Sequence, residues 1–282
     1  MKHWGCLALL ALSFAVAAEP ATPVLRIASL RLPQDSAQWN QQRERILALL
    51  ADLRADVIAV QDVQQSPDAR NPACWLATRL RYNCDFITAD PPSHAQRRGS
   101  AVLAGLDVLE DGITLLHGEG QLTAAGMQRA RLDRKVVNIY IARIAPDGND
   151  REVRAQQASD LLAWIGATAD DQPSLVVGEF SAPTDELVRQ LPGFQPARRN
   201  PSVRRSTANG AAATRPHGLD VLYQVRSFAD VAQQTVELAP ATTDTVPLVL
   251  GVMTTLRLIG GTAADAPPPE TAKPDVSARP RP

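Results

Sequence analysis

The sequence predicts an α/β fold, a four-layer sandwich in which two mixed β-sheets pack face to face with helices outside. Three observations carry this expectation. Between residues 24 and 60 a short apolar run, an amphipathic segment and a β-branched run follow one another, as strand, helix and strand do. The same order returns between residues 136 and 177. Further short apolar runs, set apart by Gly, Asp and Pro turns, supply the remaining strands of a layered sheet architecture. Hydrophobic residues make up 45% of the 282 residues but aromatics only 4%, so the core has to rest on Leu, Val, Ile and Ala.

The first segment is not expected to belong to the fold. Lys2 and His3 precede an apolar run from Leu7 to Val16, and Ala17 and Ala18 stand before Glu19 and Pro20. That pattern matches an export signal over residues 1–18, and the apolar run is shorter than the roughly 20 residues a membrane-spanning helix requires. The mature protein is therefore expected to be periplasmic or secreted, with no membrane span after signal cleavage.

A strand is expected at 24–30. It feeds a helix at 39–54 with Ile46, Leu49, Leu50 and Leu53 on one face, and a strand follows at 56–60. These two strands should be parallel or near neighbours. Runs at 100–103, 112–116, 130–132 and 136–144 read as an antiparallel meander. A helix at 151–168, apolar at Leu161, Leu162 and Ile165, leads to a buried strand at 174–177. Strands at 221–225 and 247–258 complete the set. No change of composition interrupts residues 19–260, which are read as one domain. Residues 261–282, rich in Ala and Pro, cannot bury apolar surface and are expected to form a disordered tail.

Past the signal two cysteines remain, Cys74 and Cys84, close in sequence and bound for an oxidising compartment, where a disulfide is expected. The competing reading is a pair of unlinked buried thiols; neither cysteine has the spacing of a zinc ligand. The 29 basic and 30 acidic residues leave a formal charge of −1, so the overall field neither favours nor excludes a polyanionic partner. Local patches must decide that, and the sequence specifies no oligomeric state.

Four segments at strand ends carry the functional signal: Ile27-Ala28-Ser29-Leu30-Arg31-Leu32, Val60-Gln61-Asp62-Val63, Gly178-Glu179-Phe180-Ser181, and Gly218-Leu219-Asp220 followed by Thr243-Asp244-Thr245. Carboxylates on loops after strands converge at one rim of a sheet, where they can hold a hard cation. In order and spacing the set resembles the endonuclease/exonuclease/phosphatase superfamily, which includes DNase I-like nucleases, abasic-site endonucleases, inositol polyphosphate phosphatases and sphingomyelinases.

The resemblance spans nearly the whole mature chain and implies Mg or Mn as cofactor and a phosphate-bearing ligand or nucleic acid as partner. It puts the metal-binding carboxylates at Asp62 and Asp244, the water-aligning carboxylate at Glu179, the His-orienting carboxylate at Asp220 and the central His or Tyr at Tyr140. It also exposes departures. Asp62 is one methylene shorter than the family's Glu. Arg31 stands where the family has a neutral Asn, and its charge opposes a metal ion at close range. Glu179 replaces Asp, and Ser181 replaces the Asn that steadies the scissile phosphate. Thr245 replaces the terminal His, and a hydroxyl cannot serve as general acid or base as imidazole does, a loss worth roughly 10² to 10⁴ in rate. His217 is a candidate stand-in.

Arg198, Arg199, Arg204, Arg205 and Arg215 lie among Pro, Ser, Thr and Asn and form a long basic loop. It reads equally as a phosphate grip and as a solvated excursion, because no aromatic residues interleave to stack on bases. The expected function is an exported, catalytically impaired binding protein. The alternative is a metal-dependent phosphodiesterase or nuclease that uses Asp62, Glu179, Asp220 and Asp244 as a rearranged site. In a third reading, the Pro-rich tail is an interaction module.

Overall fold

The computed structural model describes residues 22–67, 70–118, 122–144, 151–181, 184–197, 218–240 and 246–259. Strand β1 (Val24–Arg31) runs into helix α1 (Ser36–Leu53), whose first turn is capped by the Asp35 carboxylate accepting from the Gln38 N–H at 2.8 Å. Strand β2 (Val57–Gln65) then pairs parallel with β1, with Ile27 opposite Val57 and Arg31 opposite Gln61. The expected strand-helix-strand unit is present.

Helix α2 (Pro72–Leu80) and β3 (Asn83–Thr88) follow. Asn71 caps α2 by accepting from the Ala73 and Cys74 N–H groups, and Pro72 occupies the first turn, where its missing N–H costs nothing. The Cys74–Cys84 disulfide ties α2 to β3, with the two Cα atoms 5.4 Å apart. Strand β4 (Arg97–Ala104) pairs antiparallel with both β2 and β3. This corrects the meander expected from the sequence: its first run lies in the β1–β2 sheet. The meander itself is β5 (Asp107–Leu116), β6 (Thr123–Leu132) and β7 (Lys135–Ile144), in the other sheet.

Helix α3 (Arg151–Thr168) crosses over to β8 (Ser174–Phe180), which is parallel to β7. Helix α4 (Thr184–Gln190), β9 (Phe194–Pro196), β10 (Leu219–Gln224), β11 (Phe228–Leu238) and β12 (Leu248–Leu258) complete the chain. The two six-stranded mixed sheets have the orders β11-β12-β1-β2-β4-β3 and β5-β6-β7-β8-β10-β9.

Three apolar layers hold the sandwich together. The middle one lies between the sheets: Leu25, Ile27, Val57, Ala59 and Val102 from one meet Ile139, Ile141, Leu175, Val177 and Val221 from the other. On the outer face of the first sheet, Ala28, Leu30, Ile58, Val60 and Leu103 pack under α1 and α2. On the outer face of the second, Tyr140, Ala142 and Val176 pack under α3 and α4. The four-layer expectation holds, with helices few and peripheral. Among the described residues, no helix is long and apolar enough to cross a membrane.

Candidate functional site

Alternate residues of a strand face one side of its sheet, so the residues that build the middle layer also say what ends it. In β1 the inward set Leu25 and Ile27 continues to Ser29 and Arg31. In β2, Val57 and Ala59 continue to Gln61; in β4, read backwards, Ala104 and Val102 continue to Ser100 and Arg98. In β7, Ile139 and Ile141 continue to Arg143, and in β8, Leu175 and Val177 continue to Glu179. Five strands thus run out of the apolar layer into polar side chains at the same end of the sandwich. The sheets are held close there: Ser29 Oγ donates across the interface to the Gly178 carbonyl at 2.9 Å. Gly178 itself is required, since a Cβ at that position would lie 1.8 Å from the Ala142 carbonyl oxygen.

Asp62 reaches this rim through a defect in its strand. The pairing of β2 with β4 shifts register between Val60 and Val63, and Asp62 has φ 58°, in the left-handed region that Asp tolerates better than most residues. Without the bulge, strict alternation would turn Asp62 toward the helices. With it, Gln61 and Asp62 both serve the rim, and Val63 returns to the helix side. The Asp62 carbonyl oxygen accepts from Gln34 Nε2 at 3.0 Å, which fixes the turn.

Three guanidiniums meet two carboxylates at this rim. Arg31 Nη2 donates to Glu179 Oε1, and Arg98 Nε donates to Asp62 Oδ1. Arg143 lies between them: its Nε donates to Glu179 Oε2 at 3.2 Å, and its Nη2 is 3.8 Å from Asp62 Oδ1. The side chains of Arg143 and Glu179 are each 7% exposed, whereas Arg31 and Arg98 are 42% and 47% exposed. Burial raises the pKa of Asp62, but the hydrogen bond from Arg98 and the charges of Arg143, Arg98 and Arg31 lower it more, and the carboxyl ends below the ordinary aspartate range.

This arrangement does not fit a divalent cation. Both Glu179 oxygens and Asp62 Oδ1 already accept from guanidiniums, and among the described residues the cluster sets three guanidiniums against two carboxylates. Among the described residues no group of three or more His, Cys, Asp or Glu is placed to hold a metal.

The other residues expected at the site are placed as follows. Asp220 is fully buried at the start of β10, opposite Gly178, with Oδ1 accepting from its neighbour Val221 N–H and from Gln233 Nε2, each at 2.8 Å. It thereby braces β10 against β11 of the other sheet. Ser181 donates its hydroxyl to the Ile144 carbonyl at 3.1 Å, a backbone contact.

Tyr140 is a correction. It has the opposite parity to Ile139 and Ile141, so it faces α3, where its ring packs edge-on against Trp164 at 5.5 Å and its hydroxyl bonds Thr168 Oγ1 at 2.8 Å. Burial pushes its pKa up, against the lowering effect of that bond. The strand register pairs Arg143 with Glu179 and Tyr140 with Val176, so Arg143 holds the place at the rim expected of Tyr140. Asp244, Thr245, His217 and the arginines at 198, 199, 204, 205 and 215 lie outside the described residues.

Sequence reading missed Arg143 and Arg98. Counting in twos from Ile139 reaches Arg143 directly, whereas Arg97 and Arg98 sit in a polar stretch with no such signal. Two surface depressions open beside the rim: one is lined by Gln61, Asp62, Trp39 and Arg70, the other by Arg98, Arg97, His94 and Gln64.

The fold has counterparts among known proteins. A family model described as Endonuclease/Exonuclease/phosphatase family matches residues 24–242. No curated protein sequence matches the chain at a significant level. Among solved structures, an endonuclease/exonuclease/phosphatase from Bacteroides vulgatus is similar, with a TM-score of 0.63 and 15% identity over 83% of this chain and 99% of that one. A mannosyl-6-phosphatase from Bacteroides thetaiotaomicron superimposes with a TM-score of 0.60 and 12% identity, over 84% of this chain and 100% of that one. The human Nocturnin catalytic domain with bound sulfate anion gives 0.59 and 16% identity, over 84% and 96%. At these identities the likeness is one of fold.

Proposed function

The chain belongs to the endonuclease/exonuclease/phosphatase family, and from that premise we propose that it is an exported member that binds a phosphate-bearing ligand and has lost metal-dependent hydrolysis. One observation carries the reading: Asp62, expected to bind the metal, and Glu179, expected to align the water, are engaged by Arg98, Arg31 and Arg143. A metal ion would have to break those pairs and then sit beside three fixed positive charges. Thr245, in place of the terminal His, removes the second element of the family reaction. Export rests on the signal-like residues 1–18 and agrees with the Cys74–Cys84 disulfide. A phosphate-bearing ligand is the chemistry common to the family name and to the mannosyl-6-phosphatase neighbour.

The test is hydrolysis of supercoiled plasmid and of a generic phosphodiester by the mature protein with Mg²⁺ or Mn²⁺, beside a Glu179→Ala control. No turnover above the control is expected. Turnover that Glu179→Ala abolishes would instead make the protein a phosphodiesterase with a rearranged site, for which Asp62, Glu179 and Asp220, all buried, and Asp244 are the candidates.

A further inference from the structure

We infer that Arg31, Arg98, Arg143 and Gln61 form a metal-independent oxyanion site that takes a terminal phosphate at the end of the inter-sheet layer. The inference deepens the binding role proposed above and rests on it, but it names the residues and the chemistry. Two buried donors point to it independently. Arg143 Nη2 is buried and has no hydrogen-bond partner among the described residues, although Nε of the same guanidinium donates to Glu179. Gln61 Nε2 is in the same condition; the other end of that amide accepts from Ser100 Oγ at 2.7 Å, and the residue is fully buried. Folded proteins rarely leave such groups without an acceptor, so each calls for a bound water or ion.

Both donors lie beside Asp62, one by adjacency in the chain and one by contact. Gln61 adjoins Asp62 in the bulge and Arg143 Nη2 is 3.8 Å from the Asp62 carboxylate, so one sheet supplies the amide and the other the guanidinium. Among the described residues the cluster sets three guanidiniums against two carboxylates, a balance that suits an anion. Arg31 is bonded to Glu179 through one amine, and among the described residues the remainder of its guanidinium has no other partner, which leaves it to a ligand. Arg98 adds charge at the mouth, where it lines the open depression with His94 and Arg97. Guanidiniums whose orientation is set by carboxylates are suited to tetrahedral oxyanions, whose oxygens accept several charge-assisted bonds at once. The geometry therefore keeps the ligand class of a metal site while replacing the metal with three arginines.

Free phosphate and the terminal phosphate of a larger molecule share this chemistry. The experiment is calorimetric titration of the full mature protein, in EDTA and at fixed ionic strength, with inorganic phosphate and with a phosphate monoester. Saturable binding of either without metal is expected, and the ratio of the two affinities separates the two sources. Arg143→Gln should weaken binding about tenfold or more, as loss of a charge-assisted hydrogen bond does. Arg143 is buried, so the half-exposed variants Arg31→Gln and Arg98→Gln carry the test if that variant fails to fold; each should cost about fivefold or more.

Binding that appears only with Mg²⁺ or Mn²⁺ overturns the inference, as does binding no stronger than that of chloride. So does wild-type affinity in Arg31→Gln and Arg98→Gln, which would move the ligand to the arginines at 198–205 and leave the broader binding role standing. The hydrolysis assay fails separately: turnover with metal alongside phosphate binding in EDTA would overturn the loss of catalysis and keep this site.

Discussion

Along β8, Leu175 and Val177 lie in the inter-sheet core, while Glu179, next on the same face, lies in the charged rim. Along β7 the same step leads from Ile139 and Ile141 to Arg143. Backbone, parity and burial hardly change across that step, but the tolerance for substitution does. In the core any aliphatic side chain of suitable volume satisfies the position. At the rim each side chain is defined by its partner, because a buried charge is tolerated only when paired and hydrogen-bonded. The fold is thus written in a pattern and the site in identities, which can diverge separately.

The comparison is most severely tested by a double-mutant cycle on Arg143 and Glu179. Glu179→Leu leaves the buried Arg143 guanidinium with only its 3.8 Å contact to Asp62, and Arg143→Met leaves Glu179 with Arg31 alone, so each single change should cost up to about 3–5 kcal/mol in urea unfolding. The pair together should cost clearly less than the two added, because the second change removes the charge that the first exposed. Strictly additive costs would mean that the rim is not an ion-pair unit. In the core the corresponding change, Leu175→Ala, should cost about 2–5 kcal/mol through lost burial and the cavity left behind, and phosphate affinity should be unaltered. A large loss of affinity there would show that core and rim are not separable.

How much of this was legible follows the same division. The interior of β7 was readable as a mainly apolar run buried on both faces, and α3 because Leu161 and Ile165 recur one turn apart on its buried side. Helix α2 begins at Pro72 and is only 9 residues long, and β11 carries Gln233 and Gln234 and two register shifts, so neither shows a clean period. At the site, Asp62, Glu179 and Arg31 were legible from their order along the chain. Arg143 was not, because an arginine closing an apolar run resembles the end of a strand, and its role appears only when register sets it opposite Glu179. Arg98 depends on a bulge in another strand, which no local pattern signals.

Tyr140 sharpens the contrast from the other face of the same strand. Tyr140→Phe removes the bond to Thr168 Oγ1 and keeps the ring against Trp164, so it should cost about 0.5–1.5 kcal/mol. Phosphate binding should not change. A loss of affinity comparable to that of Arg143→Gln would return Tyr140 to the rim and overturn the parity assignment.

The smallest effect at neutral pH is the acid response of Asp62. Its folded-state pKa lies below the ordinary value of 3.8, because Arg98, Arg143 and Arg31 together outweigh burial. A depressed carboxyl contributes stability that is fully present above the unfolded pKa and is lost as pH falls through the folded one. The window therefore opens near pH 4 and closes below it, leaving the contribution intact throughout the neutral range. Asp62→Asn should consequently flatten the acid limb of a plot of unfolding free energy against pH relative to the parent protein. Parallel acid limbs in the two proteins would mean that the three arginines do not hold Asp62 in its charged form, and the rim would lose one of its two anions as a structural element.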